Sequence, residues 1–224
     1  MIGKSRADTK LNAIEVGIEN HKQLLVIISR QHPPEVTGYL AMQSFVQEIL
    51  ASNSLSDTFR EKFAIIILPM LNPDRLDNGH WQYNLGGVDL NRDWQFYNQP
   101  EINEFQTYIQ NVVKENNLQL KLGLDFHSTR HDLLYTFNEE TYPSEEGIVK
   151  DWIIVLRKAF PNETIREEAG GSDAPVSKNW FLKEFDAESV TYEVGDDTAR
   201  PYIKKKGQVS AQLIMDLLLK KHTP

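Results

Sequence analysis

A histidine and a glutamate three residues apart follow at once on the apolar run 24–28, in Ser29-Arg30-Gln31-His32-Pro33-Pro34-Glu35. A second histidine, His127, follows the apolar run 120–126 within Asp125-Phe126-His127-Ser128, and Glu193 closes the run Val190-Thr191-Tyr192-Glu193. A fourth apolar run, 63–71, leads into Asn72-Pro73-Asp74. Two neutral imidazoles and one carboxylate are a common catalytic zinc set, with a fourth position open for a water that the metal acidifies enough to act as hydroxide near neutral pH. His32, Glu35 and His127 make up such a set. A further carboxylate must then move protons, and Glu193 suits that role, taking a proton from the water and passing it to a leaving amine. Taken singly, each piece has a plainer explanation: a surface His-x-x-Glu, a satisfied loop histidine, a strand-end glutamate in a surface ion pair. Their joint placement at strand exits favours a metal site, because ligands of open α/β sheets bind in the crevice beyond the carboxyl ends of the strands.

The elements that must position these residues read as an α/β fold: a mixed, mostly parallel twisted sheet covered by helices on both faces, with the zinc site at the C-terminal ends of the strands. Short β-rich runs predict strands at about 11–18, 24–29, 63–70, 120–126, 133–137 and 189–193. Leu40, Phe45, Val46, Ile49 and Leu50 recur at near-helical spacing and predict a helix over 36–51. A second, over 100–116, opens on Pro-Glu and gathers Phe105, Tyr108, Ile109, Val112 and Val113 on one side. Two more are expected over 144–160 and 207–221. The stretches 71–99 and 161–178 read as long irregular loops, where function concentrates in a compact domain. There is no internal repeat or linker, so residues 1–224 read as one catalytic domain.

With 40% hydrophobic and 25% charged residues among 224, the composition is that of a soluble globular protein, and no apolar run is long enough to span a bilayer. A formal net charge of −8 repels nucleic acid and anionic membranes, and the largest basic cluster is Lys204-Lys205-Lys206, so neither nucleic-acid binding nor membrane insertion is expected. Zero cysteines exclude disulfides and thiolate chemistry, leaving His, Asp and Glu as metal ligands. Residues 1–10 lack the apolar core of a signal peptide, which suits a cytoplasmic protein or an exported one from which a precursor segment has been removed.

His32-Pro33-Pro34-Glu35, Asn72-Pro73-Asp74, Gly87-Val88-Asp89-Leu90-Asn91-Arg92-Asp93-Trp94, Asp125-Phe126-His127-Ser128-Thr129 and Thr191-Tyr192-Glu193-Val194 stand in an order and approximate spacing that resemble the zinc metallocarboxypeptidase family. The resemblance spans roughly 1–220 and is nearer to the cytosolic-carboxypeptidase style, in a bacterial-type branch, than to the pancreatic digestive enzymes. It implies one zinc ion on His32, Glu35 and His127, Glu193 as general base, and Asn91 with Arg92 holding a substrate's terminal carboxylate. A guanidinium grips a carboxylate bidentately, which agrees with that role; without the context, Asn91-Arg92 reads as a surface turn with an ion pair to Asp89 or Asp93. The implied activity is release of a C-terminal amino acid from a peptide. Two alternatives stand beside it: an amidase or deacylase acting on a small N-acyl amino acid or a cell-wall peptide, and a weakly active or inactive homologue that binds carboxylate-ended peptides.

The pattern departs from the family at particular places. Ten residues before Arg92, where the family carries an arginine that stabilises the oxyanion, stands Gln82. An amide donates a hydrogen bond but no charge, and losing one such donor costs on the order of 3 kcal/mol. Arg75, after Asn72-Pro73-Asp74, is either a substitute donor or a surface arginine. An ungapped register before Glu193 puts Gly171 where the pancreatic enzymes carry a mobile tyrosine, and Lys178 at the floor of the side-chain pocket, where it favours an acidic C-terminal residue unless the lysine is solvated. The chain opens at Ile2-Gly3-Lys4-Ser5, a segment the family precedes with a helix and loop, so an amino-terminal portion is expected to be missing.

Overall fold

A computed structural model describes residues 1–76, 82–141 and 147–222, without the side chains of 75 and 76. The expectation for the Arg75 guanidinium therefore lies outside the described residues, as do the predicted helix residues 144–146. A two-stranded antiparallel ribbon, β1 (Gly3–Lys4) with β2 (Lys10–Leu11), opens the chain. The main sheet has seven strands: β3 (Ile14–Val16), β4 (Gln23–Ser29), β5 (Phe63–Leu68), β6 (Gln119–Thr129), β7 (Leu133–Phe137), β8 (Arg166–Gly170) and β9 (Glu188–Gly195). Their order is β3-β5-β4-β6-β9-β7-β8. The central four, β5-β4-β6-β9, run parallel; β3 and β7 join antiparallel, and β8 runs parallel to β7.

Strand alternation sorts the core into two layers. Leu25 and Ile27 of β4, Ile65 and Ile67 of β5, and Leu122, Leu124 and Phe126 of β6 face one layer. There they meet α1 (Val36–Ile49), α5 (Ile148–Ala159) and α7 (Arg200–His222), through Phe45, Trp152 and Ile214 among others. Leu24, Val26 and Ile28, with Ala64, Ile66 and Leu68, face the other. That layer is built on α4 (Pro100–Asn116) and α6 (Ser177–Phe185) through Phe105, Ile109 and Phe181. These continuous apolar runs are what a strand buried on both faces requires.

Two close approaches set helices against the strand that carries His127. A Cβ on Gly38 of α1 would lie 2.1 Å from the carbonyl oxygen of His127, so only glycine lets that helix sit there. On the opposite face, a Cβ on Gly123 of β6 would meet the Phe181 ring of α6 at 2.4 Å. Ser128 reinforces the first contact, its Oγ accepting from Thr37 Oγ1 and from the Gly38 N–H, both at 2.8 Å.

Several elements differ from the sequence expectation. The strand expected over 11–18 divides between β2 and β3. β8 lies within the stretch read as loop; it is the charged sheet edge Arg166-Glu167-Glu168, whose exposed side chains give no apolar alternation. α2 (Ser54–Arg60), whose Asn53 cap accepts from the Ser56 N–H, and α6 also went unpredicted, and α7 begins at Arg200 rather than 207. Within 71–99 lie a short α3 (Pro73–Leu76) and a 3-10 turn, Leu90–Arg92. His127 and Glu193 lie inside β6 and β9 rather than just beyond or at their ends, because the two strands stay paired through Thr129 and Gly195. No helix of the described residues is long and apolar enough to cross a membrane.

Candidate active site

Where β4 ends, Arg30 takes a left-handed φ of 59° and turns the chain sharply into Gln31-His32. The loop is fixed from below by Asn72, whose Nδ2 donates to the Gln31 carbonyl at 3.0 Å. Glu35 occupies the N-cap of α1 but makes no capping hydrogen bond; its carboxylate turns to the two imidazoles instead. His32 Nδ1 lies 2.7 Å from Glu35 Oε1, and His127 Nδ1 lies 2.8 Å from Glu35 Oε2. In the second contact the atoms are close without the alignment of a hydrogen bond, so Oε2 is buried and unsatisfied among the described residues. The ligand atoms of His32, Glu35 and His127 all lie within 4.8 Å of one another.

The far nitrogen of each ring is held by a second carboxylate. His32 Nε2 lies 2.9 Å from Asp89 Oδ1, and His127 Nε2 lies 2.8 Å from Asp125 Oδ2. These braces are themselves braced. Asp125 accepts from Gln31 Nε2 at 2.6 Å and from Ser177 Oγ, and Gln31 Oε1 accepts from Trp94 Nε1 at 2.9 Å. Carboxylates behind metal-binding imidazoles fix the tautomer that offers the opposite nitrogen and raise its basicity. Here both Nδ1 atoms are offered toward Glu35. Burial opposes charge on His127, yet Asp125 and Glu35 on its two sides hold its pKa well above the usual value; His32 is raised in the same way by Asp89 and Glu35. Glu35, despite burial, is brought down to about 2 by the two imidazoles. The carboxylates thus demand positive charge at this point, and the donor set, its braces and the orphaned Oε2 all fit a divalent cation such as zinc.

A cavity of about 400 Å³ opens beside the two imidazoles and is lined by His32, Asn91, Arg92, His127, Lys178 and Glu193 among others. Glu193 pairs across the sheet with His127 and so stands on the same face. Burial pushes its carboxyl up to about 7; His127 opposes the shift, while Glu35 and Asp125 add to it. Asn91 is oriented by its Oδ1, which accepts the Ser177 N–H at 3.0 Å and leaves the amide nitrogen as a donor. Arg92 Nη1 donates to the Asn91 carbonyl at 2.7 Å. Asp89 is taken by His32 and Asp93 accepts the Gln99 N–H, so among the described residues Arg92 forms no close ion pair, although it is exposed at the end of the 3-10 turn and its charge helps to lower the Asp89 pKa as the surface-turn alternative expects. Lys178 is 6% exposed; its Nζ donates to the Thr136 carbonyl at 3.1 Å, stands 3.5 Å above the centre of the Phe137 ring, and meets no carboxylate among the described residues. Gln82 is placed differently: its Nε2 donates to Asp89 Oδ2 at 2.8 Å, so its amide braces the carboxylate behind His32.

Sequence reasoning thus named the residues that converge and missed the layer behind them. Asp125 carried a usable signal, since a residue two before His127 on a strand shares its face. Asp89 lay in plain view beside Asn91 and Arg92, but only the fold brings it to His32. Gln31 and Ser177 carried no such signal.

Comparison with known proteins bears on the whole chain. The zinc carboxypeptidase family model matches residues 1–211. Cytosolic carboxypeptidase 2 of Xenopus tropicalis is 26% identical over 146 residues, covering 63% of this chain and 15% of that protein. Cytosolic carboxypeptidase 4 of Homo sapiens is 38% identical over 74 residues, covering 33% of this chain and 7% of that protein. The chain thus matches only a small part of the length of these relatives. The crystal structure of a metallo-carboxypeptidase from Burkholderia cenocepacia superposes with a TM-score of 0.79 at 16% identity, over 98% of this chain and 64% of that one, a likeness of fold.

Proposed function

Because the chain belongs to the zinc carboxypeptidase family, we propose that it releases the C-terminal residue of a peptide, with zinc on His32, Glu35 and His127. The observation that carries this function is the convergence of those three side chains, with His32 and His127 lining one cavity together with Glu193 and the Arg92 guanidinium, which has no close carboxylate partner among the described residues. When bound there, zinc supplies the Lewis acidity that activates a water and polarises the scissile carbonyl. Arg92 grips the free carboxylate of the terminal residue, and the Asn91 amide adds a donor, so that only a chain end can seat its last peptide bond at the metal. Glu193, raised by burial toward neutrality, takes the proton of the attacking water and delivers it to the departing amine. Lys178 offers its ammonium to the side chain of the terminal residue, and a glutamate or aspartate there satisfies a charge that has no carboxylate partner among the described residues.

A second reading is favoured by Gln82 alone. With its amide committed to Asp89 it brings no charge to the developing oxyanion. A slow enzyme, by roughly a hundredfold relative to one with that donor, or a binding protein for carboxylate-ended peptides follows from that loss. The test is mass spectrometry of a peptide library with varied free C-termini, incubated with zinc-loaded wild type and with Glu193→Gln. Loss of single terminal residues by wild type alone supports the carboxypeptidase, whereas no loss with zinc bound leaves the binding protein. Release of an acyl group rather than a terminal residue would identify an amidase or deacylase.

A further inference from the structure

The strand register places a phenol among the reacting groups. In β7, Leu133 pairs with Glu193 and Tyr135 with Thr191, while Glu168 of β8 pairs with Tyr135. Paired residues, and residues two apart on a strand, share a face, so Tyr135 is the diagonal neighbour of Glu193, a relation that typically spans roughly 7–8 Å and lies within reach of a long side chain. It lines the same cavity as Asn91, Arg92 and Glu193. Its hydroxyl has no hydrogen-bond partner among the described residues. Burial raises its pKa, Glu168 and Glu193 raise it further, and Arg92 and His127 lower it, which sets the ring within the field of the general base and the guanidinium alike. The end of β8, with the residue that follows it, contributes Gly170 and Gly171 to the lining, which have no side chain to donate.

A terminal carboxylate in this cavity presents about four acceptor sites on its two oxygens, and the Arg92 fork with the Asn91 amide leaves part of that capacity open. A buried acceptor without a donor is costly, and a neutral phenol fills it without adding charge. We propose that Tyr135 is a substrate-binding residue whose hydroxyl donates to the substrate's terminal carboxylate beside Arg92. The proposal rests on the carboxypeptidase function above and adds to it a residue outside its recognisable motifs.

The test measures binding rather than turnover. Zinc-loaded Glu193→Gln protein, and the same protein carrying Tyr135→Phe, are titrated calorimetrically with an N-acetylated tripeptide ending in free glutamate and with its C-terminal α-amide. Loss of a neutral donor to a charged acceptor predicts free-acid binding weaker by roughly tenfold or more, with the α-amide changed little. Tyr135→Leu, which also lacks the hydroxyl, must behave in the same way, with zinc content and thermal midpoint held near those of the parent. Equal affinity of parent and variants for the free acid overturns the proposal, as does an equal loss for acid and amide, which marks a packing role. If the Tyr135-containing parent discriminates acid from amide and the variants do so equally well, Tyr135 fails while the carboxypeptidase function stands. If that parent binds neither peptide, both fall together.

Discussion

Replacing Lys178 by methionine is expected to stabilise the protein while removing the proposed preference for acidic C-terminal residues. Burial lowers the Lys178 pKa from 10.5 to about 7. At about 1.36 kcal/mol per unit, that shift is an upper bound of ~5 kcal/mol on the cost of keeping the ammonium out of water. The substitution also forfeits the hydrogen bond to the Thr136 carbonyl and the contact above Phe137, each worth roughly 1 kcal/mol. A net gain of at most about 3 kcal/mol is therefore expected where lysine is charged in both folded and unfolded states. The pH dependence has a definite sign. The native state gives up the proton near pH 7 and the unfolded state near 10.5, so between them the unfolded chain binds more protons, and wild-type stability rises with pH relative to Lys178→Met. The advantage of the variant is thus full below about pH 7 and gone by about pH 10. Urea unfolding of both zinc-loaded proteins from pH 6 to 9 reads this difference, and competition between glutamate-ended and leucine-ended peptides reads the specificity. A variant that is less stable at pH 6, or whose advantage grows with pH, would refute the burial argument. An unchanged peptide preference would refute the assignment of Lys178 to the side-chain pocket.

His127→Ala should leave the protein folded but release zinc, and full metal occupancy by mass spectrometry would sink the ligand assignment. Asp125→Asn, which removes the charge behind His127, should weaken zinc by roughly 10–100-fold, read by chelator competition. Arg92→Ala is expected to raise KM for free-acid peptides far more than for amidated ones; equal effects would remove the clamp. Gly38→Ala drives a methyl into the His127 carbonyl and should cost about 1–3 kcal/mol or more, on the order of other overpacked core substitutions. A thermal midpoint within a degree of wild type would show that α1 can move away without loss.

Much of the site was legible because its chemistry needs scarce residue types. With no cysteine available, histidines and carboxylates following apolar runs pointed to His32, Glu35 and His127 as a candidate metal set and to Glu193 beside them, whereas the Asn91-Arg92 pair came only through the family resemblance. The parallel core of the sheet was legible for a related reason: strands buried on both faces must be continuously apolar, as 24–28 and 63–68 are. The edge was not, because β8 faces solvent and carries charges, and α6 was hidden because it buries Lys178 and Asn179 beside Trp180 and Phe181.

What sequence alone determined, then, is the inventory: which donors exist, in what order, and on which strands. Tertiary structure decided which atoms those donors present. Asp89 and Asp125 lie behind the imidazoles, so both Nδ1 atoms turn to Glu35; Gln82 donates to Asp89 and so braces the carboxylate behind His32. The register of β7 against β9 likewise puts Tyr135 beside Glu193 across a separation of more than fifty residues. Such pairings depend on strand register and on glycine-permitted approaches such as Gly38 against His127, which are properties of packing between distant segments and leave no mark in local spacing.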